Sequence, residues 1–100
     1  MVYARVSTWK FKPGQRESAV NMLSRDVVAK VRSAKGFRGI VFLFSEDDPN
    51  ASLFLTMWEM EEDRKASTAL FNEASKKSES YLTSPPESKF YKVNNAELHL

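Results

Sequence analysis

The chain has 100 residues, of which 42% are hydrophobic and 28% charged, with only 3 glycines and 4 prolines. This composition is typical of one soluble globular domain and excludes collagen-like, low-complexity and disordered chains. There is no cysteine and one histidine, His99, which excludes disulfides, thiolate nucleophiles, iron–sulfur clusters, histidine-based triads and multi-histidine metal sites. We therefore expect a single domain over residues 1–100, with a core at 2–93 and a tail at 94–100.

No cofactor or metal is predicted from the remaining residue types. Gly14, Gly36 and Gly39 are too far apart for the glycine-rich loop of a dinucleotide site. The acidic run 46–48 lacks the glycine and the distal glutamate of a calcium loop, and its adjacent carboxylates would project in different directions. A solvated turn is the simpler interpretation of that run.

The net charge of +2 hides a segregation of charge along the chain, since residues 1–38 carry +7 and residues 39–63 carry −7. We expect these two blocks to face each other, within one subunit or between subunits. The bases are spread through a strand and around a helix rather than gathered on one face, so no nucleic acid is expected.

The longest uncharged run, 39–45, is too short to span a membrane. A cytoplasmic protein without membrane contacts is the expectation.

The pattern of apolar residues predicts six elements in chain order. Residues 2–11 alternate with a period of two, which predicts a strand with Arg5, Ser7 and Trp9 on one face. Residues 15–35 follow the helical i, i+3, i+4, i+7 rule, and Gly36 then predicts a helix end with a positive φ. The remaining predicted elements are strands at 39–45 and 52–60 joined as a hairpin, a helix at 61–82 and a strand at 89–93.

The order β-α-β-β-α-β is that of the ferredoxin-like α+β fold, an antiparallel four-stranded sheet with two helices on one face. The other face is expected to be apolar as well, because Trp9, Phe54, Trp58 and either Phe42 and Phe44 or Leu43 need a place to pack. Two such faces packed together would bury that surface, which predicts a homodimer.

Four segments in this order resemble the antibiotic biosynthesis monooxygenase (ABM) domains of the dimeric α+β barrel superfamily, over residues 2–93. They are Phe11-Lys12-Pro13-Gly14, Lys35-Gly36-Phe37-Arg38-Gly39, Met57-Trp58-Glu59, and Pro85-Pro86-Glu87 with Phe90-Tyr91-Lys92-Val93. The resemblance implies a homodimer whose two sheets close into a barrel, with a pocket in each protomer between the sheet and its helices.

The family includes cofactor-independent oxygenases of aromatic polyketides, haem-degrading enzymes, isomerases and proteins without an assigned activity. In the haem-degrading members, an asparagine, a tryptophan and a histidine stand where this chain has Ser7, Ser67 and Lys77, so haem degradation is not expected. The polyketide oxygenases have an asparagine four residues before the strand tryptophan and a tyrosine six residues after it. Here those positions hold Phe54 and Arg64.

The candidate pocket residues are those that would enclose a ring or hold an oxygen anion. Arg5 and Lys92 are candidates for holding a developing anion, although a mid-strand arginine could also form a salt bridge to Glu59 or to an acid of a partner subunit. Trp58 is either a pocket wall or a core residue whose indole N–H finds an acceptor. The full candidate set is Arg5, Ser7, Trp9, Phe54, Thr56, Trp58 and Lys92; no catalytic residue is assigned.

Two functions follow from this set. The first is a cofactor-independent monooxygenase acting on a small aromatic or quinone-like compound that supplies its own electrons. The alternative is a non-catalytic dimeric module that binds a small ligand or only assembles. A continuous cavity lined by Trp9, Trp58 and a free polar group would favour the enzyme, and side chains filling that space would favour the module.

Overall fold

One antiparallel sheet in the order β2-β3-β1-β4 forms the centre of the computed structural model, which describes residues 1–100. The strands are β1 (Val2–Lys10), β2 (Phe37–Phe44), β3 (Ala51–Trp58) and β4 (Glu87–Val93), and all three pairs are antiparallel. The helical segments are α1 (Arg16–Asp26), α2 (Val28–Ser33), α3 (Glu61–Ala66), α4 (Thr68–Lys77) and a 3₁₀ turn (Glu79–Tyr81). The predicted ferredoxin-like arrangement is confirmed.

Each predicted helix is divided in two, so the prediction of continuous helices is wrong. The first divides at Val27, where φ is −120° and ψ −38°, away from the usual helical angles. The second divides at Ser67, whose hydroxyl donates to the Arg64 carbonyl at 2.5 Å. A serine that bonds back to the preceding turn bends a helix. Both divisions leave the apolar periodicity intact, which is why the sequence pattern did not reveal them.

The turn between α2 and β2 is built on Gly36, whose φ is +79°, as predicted. Its carbonyl accepts a hydrogen bond from the Glu59 backbone N–H at 2.8 Å, which ties the turn to the end of β3. β2 therefore begins at Phe37, two residues before the predicted start, and a register shift between Phe37 and Gly39 absorbs the extra residues.

Except for Tyr91, the aromatic residues of the sheet point toward the helices. Trp9, Phe54 and Trp58 are 6% exposed or less and pack with apolar residues of α1 and α2 such as Leu23. The expectation that these rings make the opposite face apolar is therefore wrong. Register places a mainly aliphatic set there instead: Val6, Val41, Leu43, Leu53, Leu55, Met57 and Tyr91. We call this set the outer face. Of these residues, Leu43, Leu53 and Tyr91 are 39–51% exposed.

The basic and acidic blocks meet at the β2–β3 hairpin. Lys10 lies 3.5 Å from the Asp48 carboxylate, and Arg38 lies 3.9 Å from Glu59. The Arg16 guanidinium donates to three backbone carbonyls of the hairpin at 3.0–3.2 Å and lies 4.2 Å from the centre of the Phe44 ring. Pairing between the blocks thus occurs within one chain.

No helix of this chain has the length and apolar character needed to cross a membrane. The longest, α1, has 11 residues, far fewer than the roughly 20 that a span requires.

Candidate functional site

A cavity lies between the sheet and the helices. It encloses about 60 Å³, and together with its open mouth the depression measures about 520 Å³. Its floor is formed by side chains of β1, β2 and β3, and its roof by side chains of α1, α2 and α4 and of the two helix divisions, Val27 and Ser67. The floor consists of Arg5, Ser7, Trp9, Ile40, Phe42, Phe54 and Thr56, and the roof of Leu23, Val27, Val28, Val31, Ser67, Leu70, Phe71 and Ala74.

The two helix divisions are part of the roof, since both Val27 and Ser67 line the cavity. Each division therefore contributes one side chain to the lining of the cavity.

Aromatic rings form most of one wall. Trp9 lies 4.8 Å from Phe54 and 5.8 Å from Phe71, and Phe54 lies 4.4 Å from Phe42, measured between ring centres. The Trp9–Phe71 pair is edge-to-face, and the other two are tilted. These are favourable aromatic geometries, and the same wall offers ring faces and edges to a flat ligand.

Two hydroxyl groups of the floor hold the two indole N–H groups in place. Trp9 Nε1 donates to Ser7 Oγ at 2.8 Å, and that hydroxyl donates weakly to the Phe54 carbonyl at 3.4 Å. Trp58 Nε1 donates to Thr56 Oγ1 at 3.0 Å. Both tryptophans are thereby fixed by neighbours on their own strands, so Trp58 has the acceptor expected of a core residue.

Arg5 is the one charged residue of the cavity lining, and it is 4% exposed. Its guanidinium donates to three hydroxyls: Ser88 Oγ at 3.0 Å, Thr68 Oγ1 at 2.6 Å and Ser67 Oγ at 3.5 Å. No carboxylate pairs with it, and its Nε is buried without any acceptor. Burial lowers the pKa of Arg5, and the charge of Arg64 lowers it further.

The predicted salt bridge between Arg5 and Glu59 is therefore absent. Register explains this, because Arg5 lies opposite Thr56, whereas Glu59 lies beyond the end of β3. Glu59 instead faces Arg38.

Of the seven candidate residues, five line the cavity together: Arg5, Ser7, Trp9, Phe54 and Thr56. The other two lie elsewhere. Trp58 is buried outside the lining, edge-to-face with Phe37 at 6.0 Å. Lys92 is opposite Tyr3 on β4, exposed to solvent and outside the lining.

The lining residues that the sequence analysis did not select come mainly from the roof. Phe71 and Ser67 are the important ones, because the first faces Trp9 and the second accepts from Arg5. Phe42 could have been found from the hairpin alone, since its register partner is Phe54. Nothing in the helix periodicity distinguishes Ser67 from an exposed polar residue.

The chemistry available in the cavity is limited to cation and hydroxyl groups. The polar lining residues are Arg5, Ser7, Thr56 and Ser67, and there is no carboxylate or imidazole among them. No three His, Cys, Asp or Glu side chains come together as metal ligands anywhere in the chain. The site can thus hold an anionic oxygen, but none of its side chains has the pKa of a general base near neutral pH.

Comparison with known proteins gives similarity of structure only. No protein-family model matches the sequence, and no curated protein matches it. Among solved structures, a protein of unknown function from Nitrosomonas europaea has a TM-score of 0.81 at 18% identity, covering 99% of this chain and 95% of that chain.

Two other similar structures are those of oxygenases. A monooxygenase from the gene ActVA-Orf6 of Streptomyces coelicolor, solved in complex with nanaomycin D, has a TM-score of 0.74 at 20% identity, covering 98% of this chain and 92% of that chain. SnoaB, a cofactor-independent oxygenase from Streptomyces nogalater, has a TM-score of 0.78 at 13% identity, covering 95% of each chain. This chain therefore has the fold of the antibiotic biosynthesis monooxygenase structures, a ferredoxin-like α+β domain.

Proposed function

We propose that this chain binds a small aromatic or quinone-like compound in the cavity as its oxygen anion, and oxygenates it with O₂ without a cofactor. The observation that carries the proposal is the buried Arg5 guanidinium, which lines a mainly apolar cavity and has no acidic partner. A buried cation is costly unless it is paired. A phenolate or enolate oxygen would supply the missing negative charge, and Trp9, Phe54 and Phe71 would enclose the ring.

The size of the cavity limits the ligand. The enclosed 60 Å³ is smaller than the roughly 150 Å³ of a cavity that holds benzene. A one-ring compound would therefore extend into the open mouth of the cavity, or side chains of the roof would move to admit it. Larger fused-ring compounds would need a larger movement of the roof.

Oxygenation without a cofactor requires an electron-rich substrate that loses a proton readily. One atom of O₂ enters the substrate, and the other leaves as water with electrons that the substrate supplies. Arg5 would favour the deprotonated form of the substrate by holding its oxygen. This reaction is supported by the fold shared with the monooxygenase of Streptomyces coelicolor and the oxygenase of Streptomyces nogalater.

A second candidate is a ligand-binding module without catalysis. The observation that favours it is the lack of a carboxylate or imidazole in the lining, since without a base the site acts only on substrates that are already ionised.

The test is to measure ligand-induced stabilisation and O₂ uptake with one-ring hydroquinones, catechols and quinones. Binding to the native state raises its melting temperature. Ala74→Val adds two methyl groups to the roof of the cavity and should abolish this stabilisation, whereas Ala69→Val, on the same helix but exposed, should retain it. Stabilisation with O₂ uptake supports the enzyme, and stabilisation without uptake supports the module. Equal ligand responses in both variants would contradict the proposed site.

We also propose that a second copy of this chain covers the outer face. The exposed Leu43, Leu53 and Tyr91 form part of the mainly apolar outer face, and a stable interface of standard size buries about 1,600 Å² in total. Light scattering at micromolar concentration should give twice 11.4 kDa. Leu53→Glu should give a monomer, and Leu98→Glu in the exposed tail should not. A parent protein of 11.4 kDa would contradict this part of the proposal.

A further inference from the structure

Two guanidinium groups and three aromatic rings from β1, β4, α3 and α4 lie close together on the helix side of the sheet. The Arg64 Cζ lies 5.6 Å from the centre of the Tyr3 ring and 4.9 Å from that of Phe90. The Arg5 Cζ lies 5.0 Å from the centre of Phe90 and 4.9 Å from that of Phe71. We call these five residues the arginine column. Arg5 and Phe71 also line the cavity, so the column leads from the cavity to the half-exposed Phe90.

Neither arginine of the column is neutralised by an acid. None of the five salt bridges of the chain includes Arg5 or Arg64. Glu61 is influenced by Arg64, but its carboxylate is bound to Lys65 at 3.1 Å, and the pKa of Glu61 is lowered by Lys65 first. Arg5 and Arg64 lie against the same Phe90 ring and repel each other, because no acid lies between them. This repulsion makes an anion beside the two guanidinium groups favourable.

Both arginines have an unused donor in the interior. The Nε atoms of Arg5 and Arg64 are buried, and neither has a hydrogen-bond partner. An unsatisfied buried N–H is rare in native proteins and calls for an acceptor. The edge of a guanidinium that includes Nε–H can bind both oxygens of a carboxylate at once, which is the strongest form of this contact.

We propose that the arginine column binds the carboxylate of an aromatic acid whose ring enters the cavity; this rests on the proposed function and names its ligand class. The two guanidinium groups supply the charge and the free Nε–H donors. The rings of Phe90 and Tyr3 cover the carboxylate from solvent, and the aromatic wall of the cavity receives the ring of the ligand. Arg64, which the cavity lining does not include, becomes a specificity-determining residue.

The experiment compares benzoate with benzamide, which has the same shape without the charge, by titration calorimetry. We expect benzoate to bind at least about tenfold more tightly than benzamide, with an advantage that decreases at high salt. Arg64→Met should weaken benzoate binding about tenfold and leave benzamide binding unchanged. Arg32→Met, which removes an exposed positive charge from α2, should change neither. Acetate alone should bind weakly in all variants, because it lacks the ring.

Several results would overturn the inference. If benzoate and benzamide bind equally, the cavity takes aromatic compounds but the column does not select acids, so the proposed function survives and this inference fails. If Arg64→Met weakens both ligands alike, its role is structural. If neither binds but neutral hydroquinones do, the ligand class is wrong. If Arg64→Met converts a dimeric parent to a monomer with unchanged circular dichroism, the column holds a carboxylate of a partner subunit instead.

Discussion

Replacing Gly36 with alanine tests the close approach of the α2–β2 turn to Asp63 of α3. The Gly36 φ of +79° is disfavoured for alanine, which costs about 1 kcal/mol. In addition, a Cβ at this position would overlap with the carboxylate of Asp63. Asp63 is 8% exposed, and its Oδ2 accepts the Met60 backbone N–H at 3.2 Å, where it satisfies the start of α3. Displacing this carboxylate adds about 1–2 kcal/mol.

The expected total is therefore about 2–3 kcal/mol, more than the roughly 1 kcal/mol that a helix-ending glycine alone would give. Gly14→Ala is the matched control, because Gly14 has a similar φ of +74° but nothing within 4 Å of the added Cβ. It should cost about 1 kcal/mol. Urea unfolding at one protein concentration, followed by the fluorescence of the buried Trp9 and Trp58, measures both.

A double-mutant cycle isolates the contact. Asp63→Ala removes the carboxylate that the new methyl group would meet, so Gly36→Ala should cost less in that background than in the parent. Two results would refute the argument that the Asp63 carboxylate occupies space that a side chain at position 36 would take. The first is an equal loss of stability in Gly14→Ala and Gly36→Ala, and the second is the same loss from Gly36→Ala with and without Asp63→Ala.

Three further predictions concern the hairpin and the cavity floor. Arg16→Met should destabilise the protein by about 1–3 kcal/mol, because three hairpin carbonyls lose their donor, and amide hydrogen exchange of the hairpin should increase. Ser7→Ala should cost about 1–2 kcal/mol in thermal unfolding, because the buried Trp9 indole N–H loses its acceptor. The pKa of Asp48 is lowered, first by the Asn50 backbone N–H; its stabilising contribution is therefore present above the ordinary carboxyl range and lost as the pH falls through its lower folded value. Asp48→Asn should accordingly reduce the loss of stability between about pH 5 and pH 2, and an unchanged acid profile would contradict this assignment.

The fold was predictable because the apolar periods change clearly along the chain. β1 alternates with period two, and α1 and α2 together keep one apolar helical face, so element type and order follow from local pattern. The helix divisions at Val27 and Ser67 were not predictable. They depend on a backbone angle and on a hydroxyl that bonds to its own helix, neither of which changes the pattern of apolar residues.

The composition of the two sheet faces shows a different limit. Alternation gives two sets of residues for each strand, but it does not state which set faces the helices. Trp9 and Phe54 were assigned to the same set correctly, but the expectation that their rings make the outer face apolar failed, because both pack against the helices. The apolar character of the outer face was therefore predicted, and of its residues only Leu43, which was one of two alternatives.

The candidate site was predictable on the strands and not on the helices. Arg5, Ser7 and Trp9 follow from one alternating strand, and Phe54 and Thr56 from the next. The partners of Arg5 are Ser67, Thr68 and Ser88, which come from the division before α4, from α4 and from β4. Sequence spacing carries no information on such long-range contacts, so an acidic partner was expected where the structure has hydroxyls.

The central claim is that Arg5 is buried in order to hold an anion rather than to stabilise the fold. Arg5→Met retains the length and apolar packing of the side chain against Phe71 and Phe90. It removes an unpaired buried charge together with bonds to three hydroxyls. Removing the unpaired charge favours the folded state, and losing the three hydrogen bonds disfavours it.

The most direct measurement is therefore the melting temperature of Arg5→Met and of the parent, each with and without benzoate. We predict that the unliganded variant is within about 1 kcal/mol of the parent and that benzoate stabilises the parent but not the variant. A variant that is destabilised by more than about 2 kcal/mol, or that is stabilised by benzoate as strongly as the parent, would contradict the claim.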